Sequence, residues 1–176
     1  DPMQITVRRA EDDMRLFAGE INCPAAIGQH GLITDHDKRE GDGSTPIGSW
    51  PLRCVYYRPD RITLPPCALA TIPITPDLGW CDDPGHVDYN TAVTLPFNAS
   101  HEKMWRDDHA YDVVIPLGYN DGGDGGSAVP ERGSAIFFHL RHDGKNHTAG
   151  CVAIDHEMMM AILPLITKTS VMRIVG

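Results

Sequence analysis

The chain has 176 residues, of which 41% are hydrophobic and 22% are charged, and its formal net charge is −9. This length suggests one domain with its own core, and the composition is that of a globular protein rather than a disordered one. The acidic balance argues against binding to nucleic acid or to an anionic membrane, because both need basic patches.

The sequence at the ends of the chain is compatible with two cellular compartments. No apolar run reaches the ~20 residues that a membrane-spanning helix needs, and the longest, 158–166, contains Pro164. The first residues lack the charged-then-apolar pattern of a signal peptide. Asp1-Pro2 before Met3 is typical of a cloning remnant. If Met3 is the natural start, we expect a cytoplasmic protein; if a signal was removed upstream, we expect a periplasmic or cell-envelope one.

Short apolar or alternating stretches, separated by Gly, Pro and Asp clusters, predict a mainly β domain. Two glycine-rich segments, 34–48 and 122–126, are predicted to be loops, the second of them flexible. The predicted strands, in chain order, are 5–7, 15–17, 25–28, 49–57, 69–74, 92–95, 113–117, 135–140 and 170–175.

Two stretches are predicted to be helices. Ser100 would cap the first, over residues 101–109, with an acidic residue in its first turn. Asp155 would cap the second, over residues 156–163, which Pro164 would end.

Residues 134–155 carry the clearest chemistry. An apolar strand ends in His139, a polar loop follows, and Gly150 precedes Cys151 at the start of the next apolar run. A free thiol has a pKa of about 8.5, so it needs a nearby base to become a nucleophile at neutral pH. The two side chains can face each other across the loop. Gly150 leaves room for a substrate carbonyl and lets backbone N–H groups around Cys151 point at a developing oxyanion.

From spacing alone, an alternative remains open in which Cys151 is a core thiol and His139 a hydrogen-bonded polar residue. The other four cysteines have no Cys-x-x-Cys spacing and are interpreted as small buried hydrophobes. A disulfide among them is possible if the protein is exported. They are Cys23, Cys54, Cys67 and Cys81.

The stretch around Cys151 resembles the signature of the L,D-transpeptidase (YkuD-like) family. In that signature a histidine after an apolar strand is followed by a variable loop and then by Ser/Thr-His-Gly-Cys. The residues that match this pattern are His139, Thr148, Gly150 and Cys151. Residues 41–48, Gly-Asp-Gly-Ser-Thr-Pro-Ile-Gly, are similar to the family's Gly-Asp-x-x-Thr-Pro-x-Gly element, in the expected order. With 79–84 and 117–121, which resemble a divergent branch, the resemblance covers most of the chain.

The resemblance implies one catalytic domain over 1–176 with a sandwich- or barrel-like β fold. It implies that Cys151 is the nucleophile and His139 the general base and acid. The backbone carbonyl of Leu140 would orient the imidazole, and the Gly150 backbone would contribute to the oxyanion hole. The implied substrate is a peptidoglycan tetrapeptide stem, which loses D-alanine to form an acyl-enzyme and is then transferred to an amine. The resemblance also implies acylation by carbapenems; no cofactor is expected, and the oligomeric state stays open.

The sequence departs from the family pattern in three places. Ala149 stands where most members have a second histidine, Ala153 stands where many have an arginine, and only eleven residues separate His139 from Cys151. The proposed base and nucleophile survive these changes, but the substrate contacts of the missing residues do not. The lost arginine and the lack of an export pattern favour the alternative of an L,D-carboxypeptidase, in which water replaces the amine acceptor.

Five residues are candidate substrate contacts. Thr148 and His147 precede the nucleophile, and Tyr119 and Asn120 follow a predicted strand. Arg141 is a candidate to bind a substrate carboxylate in place of the missing arginine. The structural alternatives are turn formation for Tyr119-Asn120 and a solvated loop charge for Arg141.

Other functions were weighed against this one. A non-catalytic wall-binding domain would have kept the fold and lost turnover, but the intact His139 and Cys151 argue against it. In papain-like hydrolases the cysteine precedes the histidine, which is the reverse of the order here. No metal is predicted, because the remaining histidines lack a standard ligand spacing. These histidines include His86, His101, His109, His142, His147 and His156.

Overall fold

The computed structural model describes residues 3–123, 127–142 and 145–176, and they confirm the predicted mainly β fold. Helical structure within these residues comprises α1 (His156–Ile162) and a 3-10 turn over Leu163–Leu165. The strands are β1 (Gln4–Ala10), β2 (Asp13–Ala18), β3 (Ile21–Pro24), β4 (Leu32–Ile33), β5 (Thr45–Pro46), β6 (Gly48–Pro51), β7 (Val55–Tyr57), β8 (Thr71–Pro73), β9 (Leu78–Cys81), β10 (Ala92–Thr94), β11 (His101–Lys103), β12 (Val113–Pro116), β13 (Phe137–Leu140), β14 (Val152–Ile154) and β15 (Val171–Ile174).

Two five-stranded sheets form the body of the fold. The first sheet has the order β3-β2-β1-β15-β6, in which the parallel pair β1–β15 joins the two ends of the chain. The second sheet has the order β14-β13-β12-β7-β8. A three-stranded sheet, β10-β9-β11, and the parallel pair β4–β5 complete the described strands.

The second sheet is covered on both faces, which explains its continuous apolar runs. Alternate residues such as Ile115, Phe138 and Val152 point into a core shared with the first sheet and α1. The residues between them, including Phe137 and Cys151, point the other way into a smaller cluster. A strand covered on both faces therefore carries a polar residue, His139, in an otherwise apolar setting.

The predicted helix over residues 101–109 is wrong. His101–Lys103 forms β11 and pairs antiparallel with β9, with Glu102 opposite Trp80. The hydroxyl of Ser100 donates to Asp82 at 2.6 Å instead of capping a helix. Beyond the strand the chain turns, and the Asp108 carboxylate accepts from the backbone N–H of Ala110 at 3.0 Å. An aspartate that bonds to the backbone two residues later favours such a turn over a helix.

The second predicted helix is confirmed as α1, although it ends at Ile162 and not at Leu163. Asp155 occupies the N-cap position, but its side chain makes no capping hydrogen bond, so that part of the prediction is wrong. Pro164 lies in the 3-10 turn that follows, where its missing N–H costs little.

Two predicted strands differ from the observed structure by more than their end residues. Residues 49–57 form β6 and β7, which belong to different sheets and are separated after Pro51. Residues 25–28 lie outside the strands and make isolated bridges, from Ala26 to Ala153 and from Gly28 to Thr148. The predicted loop over 34–48 contains β5. In the predicted loop 122–126, residues 124–126 lie outside the described residues.

Candidate active site

The register of two neighbouring parallel strands brings Cys151 and His139 onto one face of the second sheet. His139 on β13 lies beside Ala153 on β14, and Phe138 lies beside Val152. One step further back, Cys151 lies beside Phe137. Because side chains alternate along a strand, these odd-numbered side chains share the face away from the main core.

Both side chains line one cavity of about 540 Å³. Cys151 is 8% exposed and His139 is 7% exposed, so each is largely shielded from solvent. The sulfur is therefore not sealed in the main core, and an acyl group can approach it from the cavity. The polar residues around this cavity include Lys38, Glu40, Asp82, Glu102, Arg106, Ser134, Arg141, His142, Lys145, His147 and Thr148.

The imidazole of His139 is held in one tautomer. Its Nδ1 lies 2.7 Å from the carbonyl oxygen of Leu140. A carbonyl can only accept, so Nδ1 carries the hydrogen and Nε2 is the nitrogen able to take a proton. Burial lowers the pKa of His139 to about 4, which keeps this acceptor available at neutral pH. The Tyr111 ring packs against the imidazole edge to face, with centroids 5.2 Å apart.

The Cys151 thiol is at rest in a protonated state. Its S–H donates to the carbonyl of Ala135 at 3.2 Å, and its sulfur accepts from the backbone N–H of Phe137 at 3.4 Å. Burial, followed by the charge of Glu102, raises the pKa of Cys151 to about 12. A reaction at this sulfur would require the S–H to leave the Ala135 carbonyl, and the Phe137 N–H could then stabilise a thiolate.

The backbone before the nucleophile is held by Thr148. Its hydroxyl donates to the carbonyl of Cys151 at 2.7 Å and accepts from the N–H of Gly150 at 3.0 Å. Thr148 thus supports the turn, although it also lines the cavity. The Gly150 N–H, which was predicted to contribute to an oxyanion hole, donates to Thr148 in this structure. Gly150 has φ +145°, and a Cβ there would lie 3.0 Å from the carbonyl oxygen of Ser44.

The Gly-Asp-x-x-Thr-Pro-x-Gly element supports the same turn from the other side. The Thr45 hydroxyl accepts from the N–H of Gly28 at 2.8 Å and donates to the carbonyl of Gly150 at 2.7 Å, both in buried surroundings. Asp42 holds the loop itself, since it accepts from Lys38 at 2.5 Å and from the N–H of Ser44 at 3.0 Å. Two motifs about a hundred residues apart therefore meet at the carbonyl of Gly150, next to Cys151.

Replacing Thr45 with valine should destabilise the protein by about 2–5 kcal/mol. The change keeps the side-chain shape but leaves a buried N–H and a buried carbonyl without partners, each costing roughly 1–3 kcal/mol. Thr45→Ser retains the hydroxyl and should lose much less. Urea unfolding measures the difference, and equal unfolding midpoints for the two variants would contradict this role for the hydroxyl.

Several residues around the site were not identified from the sequence. Tyr111 donates to Glu102, and burial raises the pKa of that carboxyl group. Glu40 Oε1 accepts hydrogen bonds from the hydroxyl groups of Tyr89 and Ser134, each at 2.6 Å. These are contacts between distant parts of the chain, so no local pattern signals them. Only Glu40 lies next to a recognised motif.

Asn90 is a second feature that the sequence did not reveal. Its Oδ1 accepts from Trp80 Nε1 at 3.0 Å and from the N–H of Ala135 at 2.9 Å. Its Nδ2 donates to the carbonyls of Tyr119 at 3.1 Å and Asn120 at 2.9 Å. The side chain thereby fixes Ala135, which has φ 54° and whose carbonyl accepts the Cys151 thiol.

Tyr119 and Asn120, predicted as substrate contacts, do not line the cavity. Tyr119 is buried and donates to the carbonyl of Arg132 at 2.6 Å. Asn120 exchanges hydrogen bonds with Val129, accepting from its N–H at 2.8 Å and donating to its carbonyl at 3.0 Å. Both residues fix the turn after β12, as the turn-forming alternative expects.

Arg141 and His147 do line the cavity, as expected of substrate contacts. Arg141 donates to Asn146 at 3.0 Å and lies 3.8 Å from Asp155, so its guanidinium is turned towards the loop and the start of α1.

All five cysteines are free thiols. Among the described residues, no cluster of His, Cys, Asp and Glu is arranged to bind a metal ion. Nor does any helix in the described ranges have the length and apolarity to cross a membrane.

In a comparison with known protein families, the family model of the YkuD L,D-transpeptidase catalytic domain matches residues 4–174. The match spans the Thr45 element, His139 and Cys151, and the strands that carry them. A search of curated proteins found no match to the chain.

Proposed function

Because the chain belongs to the YkuD L,D-transpeptidase catalytic-domain family, we propose that it is a peptidoglycan L,D-transpeptidase with Cys151 as its nucleophile and His139 as its base. The observation that carries the proposal is the paired geometry of the two groups. A neutral imidazole, fixed through Nδ1 to the carbonyl of Leu140, shares a sheet face and a cavity with the thiol. Since peptidoglycan is the substrate, the proposed place of action is the periplasm or cell envelope.

The first half-reaction forms a thioester. His139 Nε2 takes the proton of Cys151 as the sulfur attacks the carbonyl carbon between the L-centre of the diamino acid and the terminal D-alanine. The backbone N–H of Cys151 donates to the oxyanion of the tetrahedral intermediate, and one such donor contributes about 10²–10³ in rate. The C–N bond then breaks, and His139 returns the proton to the departing amine of D-alanine.

The second half-reaction decides between crosslinking and trimming. An amine of a neighbouring stem attacks the thioester carbon, loses a proton to His139, and expels the Cys151 thiolate, which gives a new peptide bond. If water attacks instead, the product is a tripeptide and the enzyme is an L,D-carboxypeptidase. Both reactions share the first step, so the same cavity and the same pair of residues serve either outcome.

The first step is tested by mass spectrometry of the intact protein after incubation with a carbapenem. We expect one covalent adduct on the wild type and none on Cys151→Ala. Cys54→Ala is the matched control, since it removes a half-buried thiol that does not line the cavity, and it should still form the adduct. An adduct on Cys151→Ala would contradict the assignment of the nucleophile.

The second step is tested with a disaccharide-tetrapeptide as substrate. Formation of a crosslinked dimer with release of D-alanine supports the transpeptidase. Formation of tripeptide alone assigns hydrolysis. A wild-type protein that forms neither product and no carbapenem adduct would overturn the proposal and favour a wall-binding role.

A further inference from the structure

Ala153 leaves one wall of the cavity without a cation. It lies beside His139 across the β13–β14 pair, on the same face as Cys151, and it lines the cavity. Its methyl group cannot bind a charged substrate group. A peptide stem that ends in a D-amino acid carries a carboxylate close to the scissile bond. A site that binds this stem needs a cation from another part of the fold.

Arg106, in the segment between β11 and β12, supplies a cation to this wall. Its guanidinium carbon lies 4.7 Å from the centroid of the Tyr111 ring. The imidazole of His139 contacts the same ring, with the two centroids 5.2 Å apart. Arg106 also lines the cavity. The guanidinium and the proposed base therefore share one aromatic neighbour and one cavity.

The guanidinium is held by a carboxylate on one edge. Nε donates to Asp108 Oδ1 at 3.0 Å and Nη2 donates to Oδ2 at 2.6 Å. Asp108 is itself fixed by the N–H of Ala110. The remaining nitrogen, Nη1, lies 3.8 Å from Glu102, which is beyond hydrogen-bond distance. Because a guanidinium has five N–H donors in a planar fork, this pairing orients it and leaves donors for a second anion.

Three other lysine and arginine side chains line the cavity, and the exposed Lys145 is distinguished from Arg106 by the experiment below. The other two are bound to groups of the protein. Lys38 is 2% exposed, and its ammonium is bound to Asp42 and to the carbonyl of Arg39. Arg141 donates to Asn146 and faces Asp155. Arg106 is about one-third exposed, with a side-chain value of 34%, so a ligand in the cavity can reach it.

We infer that Arg106 binds the carboxylate of the D-amino acid that leaves in the first half-reaction. The departing nitrogen must lie near His139 in order to receive a proton from it. Only one carbon separates that nitrogen from the carboxylate. Arg106 lines the same cavity as His139 and contacts the same aromatic ring, so a carboxylate next to the departing nitrogen comes near its guanidinium. The inference rests on the proposed function for the identity of the carboxylate, although not for the presence of the cation.

Charge effects within the site agree with this placement. Burial is the main cause of the lowered pKa of His139, and the charge of Arg106 lowers it further. Burial dominates the raised pKa of Cys151, and the charge of Arg106 opposes it. The guanidinium therefore lies within electrostatic reach of both reacting groups.

The cation is tested first without any substrate, by alkylation of Cys151 with iodoacetate and with neutral iodoacetamide. Both reagents attack the same thiolate, so the ratio of their rates cancels the thiolate fraction and reports attraction of a carboxylate. We expect this ratio to fall about 3- to 10-fold in Arg106→Gln and to be largely kept in Arg106→Lys. Peptide mapping restricts the measurement to Cys151. Arg173→Gln is the charge-matched control, since Arg173 is exposed on β15 and does not line the cavity.

An unchanged ratio in Arg106→Gln overturns the inference. So does a fall in Arg141→Gln or in Lys145→Gln that equals or exceeds the fall in Arg106→Gln, because the carboxylate subsite would then belong to that residue. Thermal unfolding of each variant separates a local effect from a loss of fold.

The substrate is tested with stems that end in D-alanine or in D-alaninamide. Wild type should favour the free acid by about 10- to 100-fold in kcat/KM, mainly through KM, and Arg106→Gln should lose this preference. Equal wild-type rates on both stems overturn the inference. Failure of wild type to cleave either stem overturns the proposed function instead, and the alkylation ratio then still decides whether Arg106 attracts carboxylates.

Discussion

Replacing His139 with glutamine should slow acylation of Cys151 by a carbapenem about 10²- to 10⁴-fold at pH 7, the usual contribution of a general base. Burial raises the thiol pKa to about 12, so only about one molecule in 10⁵ carries a thiolate at neutral pH. The proton must therefore be taken as the sulfur attacks, and the glutamine amide cannot take it. Stopped-flow absorbance at the carbapenem band measures the rate.

The control for this variant is His36→Gln, because His36 is exposed and lies outside the cavity. Its acylation rate should equal that of wild type. A rate for His139→Gln within about threefold of wild type would show that another group takes the proton.

The pH dependence of acylation in the wild type follows from the lowered pKa of His139. Since burial lowers the pKa of His139 to about 4, acylation should persist to about pH 5 and fall near pH 4. An ordinary histidine would lose activity near pH 6.5. The free energy of unfolding should also fall as the pH falls from 6.5 to 4, because the unfolded chain binds this proton at a higher pH than the folded protein does. His139→Gln should remove that part of the pH dependence of unfolding.

The chemistry of the site could be predicted because it lies in a short stretch of sequence. His139 ends one strand and Cys151 begins the next, and parallel pairing of two consecutive strands brings such residues together. The apolar runs around them predict buried strands whichever face they present. The Thr45 element lies far away in the chain, and only its resemblance to a family motif linked it to the nucleophile.

Local sequence patterns do not predict the structure where it depends on contacts between distant parts of the chain. The pattern after Ser100 is compatible with a helix, yet pairing with β9 and the turn at Asp108 determine the fold there. Arg106 was missed because its position at the site depends on that turn. No spacing in the sequence predicts that a residue in the misassigned helix would line the cavity beside His139.

Asn90 is another residue whose role depends on distant partners and has no local sequence pattern. Replacing it with alanine should reduce the free energy of unfolding by roughly 3–6 kcal/mol. Four buried or partly buried groups would lose their partner: Trp80 Nε1, the N–H of Ala135, and the carbonyls of Tyr119 and Asn120. Each unsatisfied group costs roughly 1–3 kcal/mol, although relaxation reduces the sum. Asn90 also has φ 62°, a conformation that asparagine tolerates better than alanine.

The measurement is urea unfolding, with Asn22→Ala as the control, since Asn22 is exposed and accepts from Arg15 at 2.7 Å. That control should change stability by less than about 1 kcal/mol. Asn90→Asp keeps the two acceptor bonds but places a carboxylate against two carbonyl oxygens, so it should fall between wild type and Asn90→Ala. Because the Ala135 carbonyl accepts the thiol proton of Cys151, both variants should also alkylate faster at Cys151. If Asn90→Ala is as stable as wild type, water satisfies these four groups and other contacts hold the Ala135 carbonyl.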